Sequence, residues 1–145
     1  MEKTMNDCQT SASQPQGDMI IAMTQTGYSE TAARYYFMKP HMGRIADADQ
    51  VSDYVGSCGD TMTIFLKIKD NVIEDAKYEV LGCAGAISAA MAAVDIIKGK
   101  SLDFAKEVND GDIFKILEEI PEKKHHCIQL AVKTLHKAID EYKSK

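Results

Sequence analysis

The chain has 145 residues, of which 45% are hydrophobic and 27% charged. That is enough apolar material for one globular domain with its own core and no disulfide staples, and it lies well outside the composition of disordered chains. Seventeen basic against twenty-two acidic side chains give a net charge of −5 and a pI near 5.3, which argues against a nucleic-acid binder. No apolar run approaches the roughly 18 residues needed to span a bilayer. The polar stretch after Met1-Glu2-Lys3 does not read as a signal peptide, so the expected location is the cytoplasm.

In chain order, residues 1–27 are rich in Ser, Thr, Gln, Asn and Met and show no periodicity. They read as a flexible tail preceding a domain over 28–145. From Tyr28 a pattern begins. Ser29 is placed to cap a short helix carrying Ala32, Ala33, Tyr36 and Phe37, ended by Pro40 and Gly43. A first strand is expected around Arg44–Asp47. Met62, Ile64, Leu66 and Ile68 then alternate with Thr61, Thr63, Phe65 and Lys67, the period of a half-buried strand. Asp70-Asn71 makes a tight turn into a return strand with Ala76, Tyr78 and Val80 on one side, ending at Gly82-Cys83.

The second half changes to helical period. Ala84–Lys98 places Ile87, Met91, Val94 and Ile97 on one side, and Gly99 stops it. A short segment near 102–107 follows. Ile113, Phe114, Ile116, Leu117 and Ile120 then mark a helix closed by Pro121. The last helix carries the stripe Ile128, Ala131, Val132, Leu135, Ala138, Ile139 and Tyr142. Strands first and helices after predict an α+β domain, with a small antiparallel sheet of about three strands, helices on one face and a long C-terminal helix.

The four cysteines stand at 8, 58, 83 and 127, and none forms a CxxC pair. That removes zinc ribbons and thioredoxin-like centres. Cys8 falls in the tail and reads as an incidental thiol. The other three occupy element boundaries: Cys58 in Gly56-Ser57-Cys58-Gly59-Asp60, Cys83 between strand and helix, Cys127 at the start of the final helix. Helix N-termini favour thiolates. Glycines at 56, 59, 82 and 85 let backbone approach closely. Asp60 and His126 add oxygen and nitrogen donors. If the fold joins these loops, a three-cysteine site with Asp or His as fourth ligand results, suited to an iron–sulfur cluster or zinc. A carboxylate ligand makes such a site labile, because the metal–oxygen bond is the easier one to replace.

Cys58-Gly59-Asp60, Leu81-Gly82-Cys83-Ala84-Gly85-Ala86-Ile87-Ser88, Lys98-Gly99-Lys100, and Pro121 with Lys124 leading to His126-Cys127 together resemble the U-type iron–sulfur cluster assembly scaffolds, the IscU and NifU N-terminal family. The resemblance runs from about Tyr28 to Tyr142. It implies a non-catalytic scaffold that receives sulfur from a cysteine desulfurase, holds a transient 2Fe–2S cluster and passes it to apo iron–sulfur acceptor proteins. Iron donor and electron donor proteins are further implied partners, and a homodimer around the cluster is compatible with it. Cys58, Cys83 and Cys127 would hold the cluster, Asp60 would be the fourth or lability-setting ligand, and His126 the alternative one. Cys127 would accept persulfide sulfur, surrounded by Lys123, Lys124, His125 and His126.

Two stretches depart from the family pattern. Ile120-Pro121-Glu122-Lys123-Lys124-His125 replaces Leu-Pro-Pro-Val-Lys, which argues against an Hsp70-type chaperone partner. Lys39-Pro40-His41-Met42-Gly43 replaces a longer Asn-Pro-Arg-Asn-Val-Gly loop. Two other readings compete. One keeps the fold and makes the protein a zinc-binding sulfur acceptor that stimulates a desulfurase. The other is a cysteine hydrolase or acyl transferase using Cys127 or Cys58 with His126 as base, disfavoured because adjacent residues on a helix start should diverge.

Overall fold

The computed structural model describes residues 19–38, 41–57, 59–118, 120–121 and 124–145. Cys8, Cys58, Lys39, Pro40, Glu122 and Lys123 lie outside them. The element order is α1 (Glu30–Met38), β1 (Gln50–Val55), β2 (Thr61–Lys69), β3 (Val72–Leu81), α2 (Ala84–Ile97), α3 (Leu102–Glu107), α4 (Asp110–Leu117) and α5 (His125–Lys143). The strands form an antiparallel sheet in the order β1-β2-β3. α5 lies over β1 and β2, and α2 lies over β3 and against α5. The expected α+β layering is therefore what the chain builds.

The β2–β3 hairpin follows from its sequence. Met62, Ile64 and Leu66 are fully buried toward the helices, as are Ala76 and Tyr78 opposite them. Asp70 and Asn71 both take positive φ, 53° and 64°, the geometry of a two-residue hairpin turn. α2 is buried on nearly every side, from Gly85 through Val94, and not on one stripe. Its alanines explain this, since small side chains let the sheet, α1, α4 and α5 all approach one helix.

Three elements differ from expectation. The first strand is Gln50–Val55 and not 44–47. It was disguised because its inward residues are polar: Gln50 and Ser52 are buried and hydrogen-bonded to Glu141 of α5. The helix expected to run to Ile120 stops at Leu117, where Glu118 adopts φ 70°, after starting at an Asn109–Asp112 capping box. Residues 19–24 are helical, although their composition gave no helical period. Ser29 caps α1 as expected, accepting the Ala32 N–H at 3.0 Å, and its hydroxyl also donates to the Leu117 carbonyl. This ties the start of α1 to the end of α4. Among the described residues, no helix is long and apolar enough to cross a membrane.

Candidate metal centre

The open end of the hairpin carries the site. Gly56 N–H donates to the Asp60 carbonyl at 2.8 Å, and Gly59, at φ 92°, turns the loop so that Asp60 directly precedes β2. Across the last β2–β3 pair, Thr61 with Leu81, the chain leaves the sheet through Gly82. A Cβ on Gly82 would sit 2.4 Å from the Asp60 Cγ and 2.7 Å from its Oδ1. Only glycine leaves room for the carboxylate there.

Cys83 is the N-cap of α2, with φ −82° and ψ 171°. Both its backbone N–H (3.4 Å) and its thiol (3.3 Å) donate to Asp60 Oδ2. Cys127 lies in the first turn of α5, fully buried, with its Sγ 3.5 Å from Cys83 Sγ. A Cβ on Gly85 would meet that sulfur at 3.3 Å, so the glycine lets α2 and α5 close up around it. One ligand atom each from Asp60, Cys83 and Cys127 lies within 4.8 Å of the other two.

Two sulfurs bound to one tetrahedral metal at about 2.3 Å stand about 3.8 Å apart, so the observed pair needs little adjustment to share an ion. Two soft thiolates and one hard carboxylate oxygen suit iron or zinc.

His126 Nε2 is 3.6 Å from Cys127 Sγ. The expectation that these neighbouring side chains diverge is thus overturned: the first turn of α5 lets the ring fold back beside the thiol. His125 instead packs edge-on against Phe114, at 5.1 Å between ring centroids. Lys124 reaches the same corner, its Cβ 3.3 Å from the point where a Gly85 Cβ would be. Not all the flagged glycines serve the site. Gly56 makes room for the side chain of Leu130, a packing reason, at 3.2 Å from a would-be Cβ.

The sequence reading missed Tyr28. The segment before α1 packs on Pro121, with a Gly27 Cβ position 3.4 Å from its Cγ, which brings Tyr28 to the site. Burial, followed by the negative charge of Cys83 and Cys127, pushes its hydroxyl up from 10.0 to about 12. Nothing in the local pattern marks Tyr28, because a tyrosine before a helix cap is an ordinary packing residue.

Two thiols and a carboxylate gathered at one end of the sheet of a small α+β protein form a donor set that could hold a metal ion. Residues 27–145 match the NifU-like N terminal domain family, and the chain belongs to it. It is 38% identical over 117 residues to the iron-sulfur cluster assembly scaffold protein IscU 1 of Archaeoglobus fulgidus, covering 79% of this chain and 76% of that protein. It is 37% identical over 123 residues to the IscU scaffold of Escherichia coli, covering 81% and 95%. Among solved structures, a Fervidobacterium islandicum AW-1 protein described as a candidate cluster assembly scaffold of the SUF system superposes with a TM-score of 0.63. It is 26% identical, with 77% of this chain and 96% of that one covered.

Proposed function

We propose that this protein is a scaffold on which a 2Fe–2S cluster is built transiently and handed to apo acceptor proteins. The observation that carries this reading is the meeting of Asp60, Cys83 and Cys127 from three separate elements, in a chain whose relatives are named as such scaffolds. Cys58, two residues before Asp60, is assigned as the third thiolate, and His126 as the alternative ligand beside Cys127. Asp60 is assigned as the exchangeable position through which the cluster leaves. The cluster is cargo, so the protein turns over nothing itself.

A cysteine desulfurase would supply sulfur. The Cys127 thiolate attacks the outer sulfur of the desulfurase persulfide, a sulfur–sulfur bond forms on Cys127, and the desulfurase thiolate leaves. Cys127 is fully buried whereas Cys83 is partly exposed, so delivery to Cys127 requires the packing around its sulfur to open. Iron donor and electron donor proteins complete the partner set, a second copy could share the cluster, and the setting is the cytoplasm. The working domain is assigned to the residues that match the family, 27–145.

The 3.5 Å sulfur pair is also an edge of the right length for zinc, which keeps a zinc-binding sulfur acceptor as the second reading. Anaerobic reconstitution with ferrous iron and sulfide separates the two. A 2Fe–2S chromophore, transferable to an apo-ferredoxin, is the expected result. Retained zinc with no chromophore would replace the scaffold by the acceptor. Activity of a hydrolase type that survives Cys83→Ser would displace both.

A further inference from the structure

We propose that Cys83 and Cys127 are a dithiol pair that closes to an intramolecular disulfide under peroxide, withdrawing the metal site until a thiol reductant reopens it. The pairing stands on geometry alone, while its consequence for iron rests on the scaffold reading. The two sulfurs are in contact at 3.5 Å, against a disulfide bond length of about 2.05 Å. The remaining gap is within reach of side-chain rotation. Cys83 is free to make that rotation because it is the N-cap, in extended conformation, and has no preceding helical turn to restrict its side chain. Among the described residues its thiol would exchange the hydrogen bond to Asp60 Oδ2 and the contact with Cys127 Sγ for the new bond.

The two positions also differ in access. Cys83 is partly exposed, and Cys127 is fully buried behind it. Peroxide therefore meets Cys83 first. One oxygen transfers to its sulfur, giving a sulfenic acid and one water. The Cys127 sulfur then attacks the sulfenic sulfur, the hydroxyl leaves as a second water, and the sulfur–sulfur bond forms. Two thiols are oxidised by two electrons and one peroxide is reduced to two waters. A buried neighbour in contact makes this second step faster than further oxidation of Cys83, because it is intramolecular. The bond joins the starts of α2 and α5, which already pack on one another. Its effect on the site is direct: both sulfur donors of the described constellation are used up, so two of the three assigned thiolates can no longer bind a soft metal.

The test uses the full chain, reduced anaerobically, freed of metal and treated with hydrogen peroxide. The intact mass should fall by about 2 Da, the loss of two hydrogens, in the native protein and in Cys58→Ser, and not in Cys83→Ser or Cys127→Ser. A non-reduced digest should contain the peptide joining Cys83 to Cys127. Uptake of ferrous iron should drop by about tenfold or more and return with dithiothreitol. A cross-link through Cys58 or Cys8, oxygen addition without a link, or a link that leaves iron uptake unchanged would overturn the proposal. Reduced protein that takes no iron before peroxide, yet still forms the Cys83–Cys127 link, upholds the dithiol and refutes the scaffold.

Discussion

The two ends of the β2–β3 hairpin are finished in opposite ways. At the turn end, backbone meets backbone: Ile73 N–H donates to the Lys100 carbonyl at 2.8 Å, Gly99 N–H to Ile73 at 2.8 Å and Leu102 N–H to Asn71 at 2.9 Å. The loop after α2 is stitched to the turn, and Val72 bridges Ser101. At the other end the last strand pair gives way to Asp60, Gly82 and Cys83, where side chains interact with one another. There a carboxylate and two thiols contact one another across three segments of the chain. One end of the hairpin is thus closed by backbone hydrogen bonds, and the other presents a donor set that could hold a metal ion.

Substitutions should separate the two ends. The largest effect is expected for Cys83→Ser, with metal affinity down by about a hundredfold and unfolding free energy of the metal-free protein changed by under about 1 kcal/mol. Metal titration and urea denaturation on the same preparation check both. Gly82→Ala should damage affinity and stability together, because the new Cβ displaces the Asp60 carboxylate. We expect a loss of about 1–3 kcal/mol, with weaker metal binding in the same titration. Asn71→Ala at φ 64° should cost about 1 kcal/mol and leave metal affinity untouched. If it weakens metal binding, the ends are not independent.

The smallest effect concerns Tyr78, whose fully buried hydroxyl has no hydrogen-bond partner among the described residues. Burial raises its pKa from 10.0 to about 12. The unfolded chain loses this proton near pH 10 and the folded one only near 12, so the contribution is intact below pH 10 and is lost as pH rises through 12. Tyr78→Phe should reduce the fall in stability across that window, leaving the part due to Tyr28, and should add up to about 1 kcal/mol at neutral pH. Denaturation midpoints at several alkaline pH values measure this.

What could be read in advance follows the same division. The hairpin, the turn at Asp70-Asn71, the Ser29 cap and the stripe of α5 each depend on residues within a few positions of one another. β1 escaped because Gln50 and Ser52 face inward to meet Glu141, an inversion of the usual pattern that only the partner reveals. For the site, the residue types and their place at element ends were legible, as were Gly82 and Gly85 as points of close approach. Their convergence was implied by the resemblance to the family and not by the residues' own spacing. Cys83 and Cys127 are 44 positions apart, and their contact is set by how α2 packs on α5. The same packing seats Tyr28 beside them and folds His126 back onto Cys127, neither of which any local pattern encodes.

In the proposed site, separated thiols and a carboxylate bind one metal. X-ray absorption at the zinc edge of protein loaded with a single zinc ion tests it most directly. The account predicts more than one sulfur at about 2.3 Å together with a lighter oxygen or nitrogen scatterer, and loss of sulfur scattering in Cys83→Ser. A first shell made only of light atoms, or one unchanged by that substitution, would contradict it.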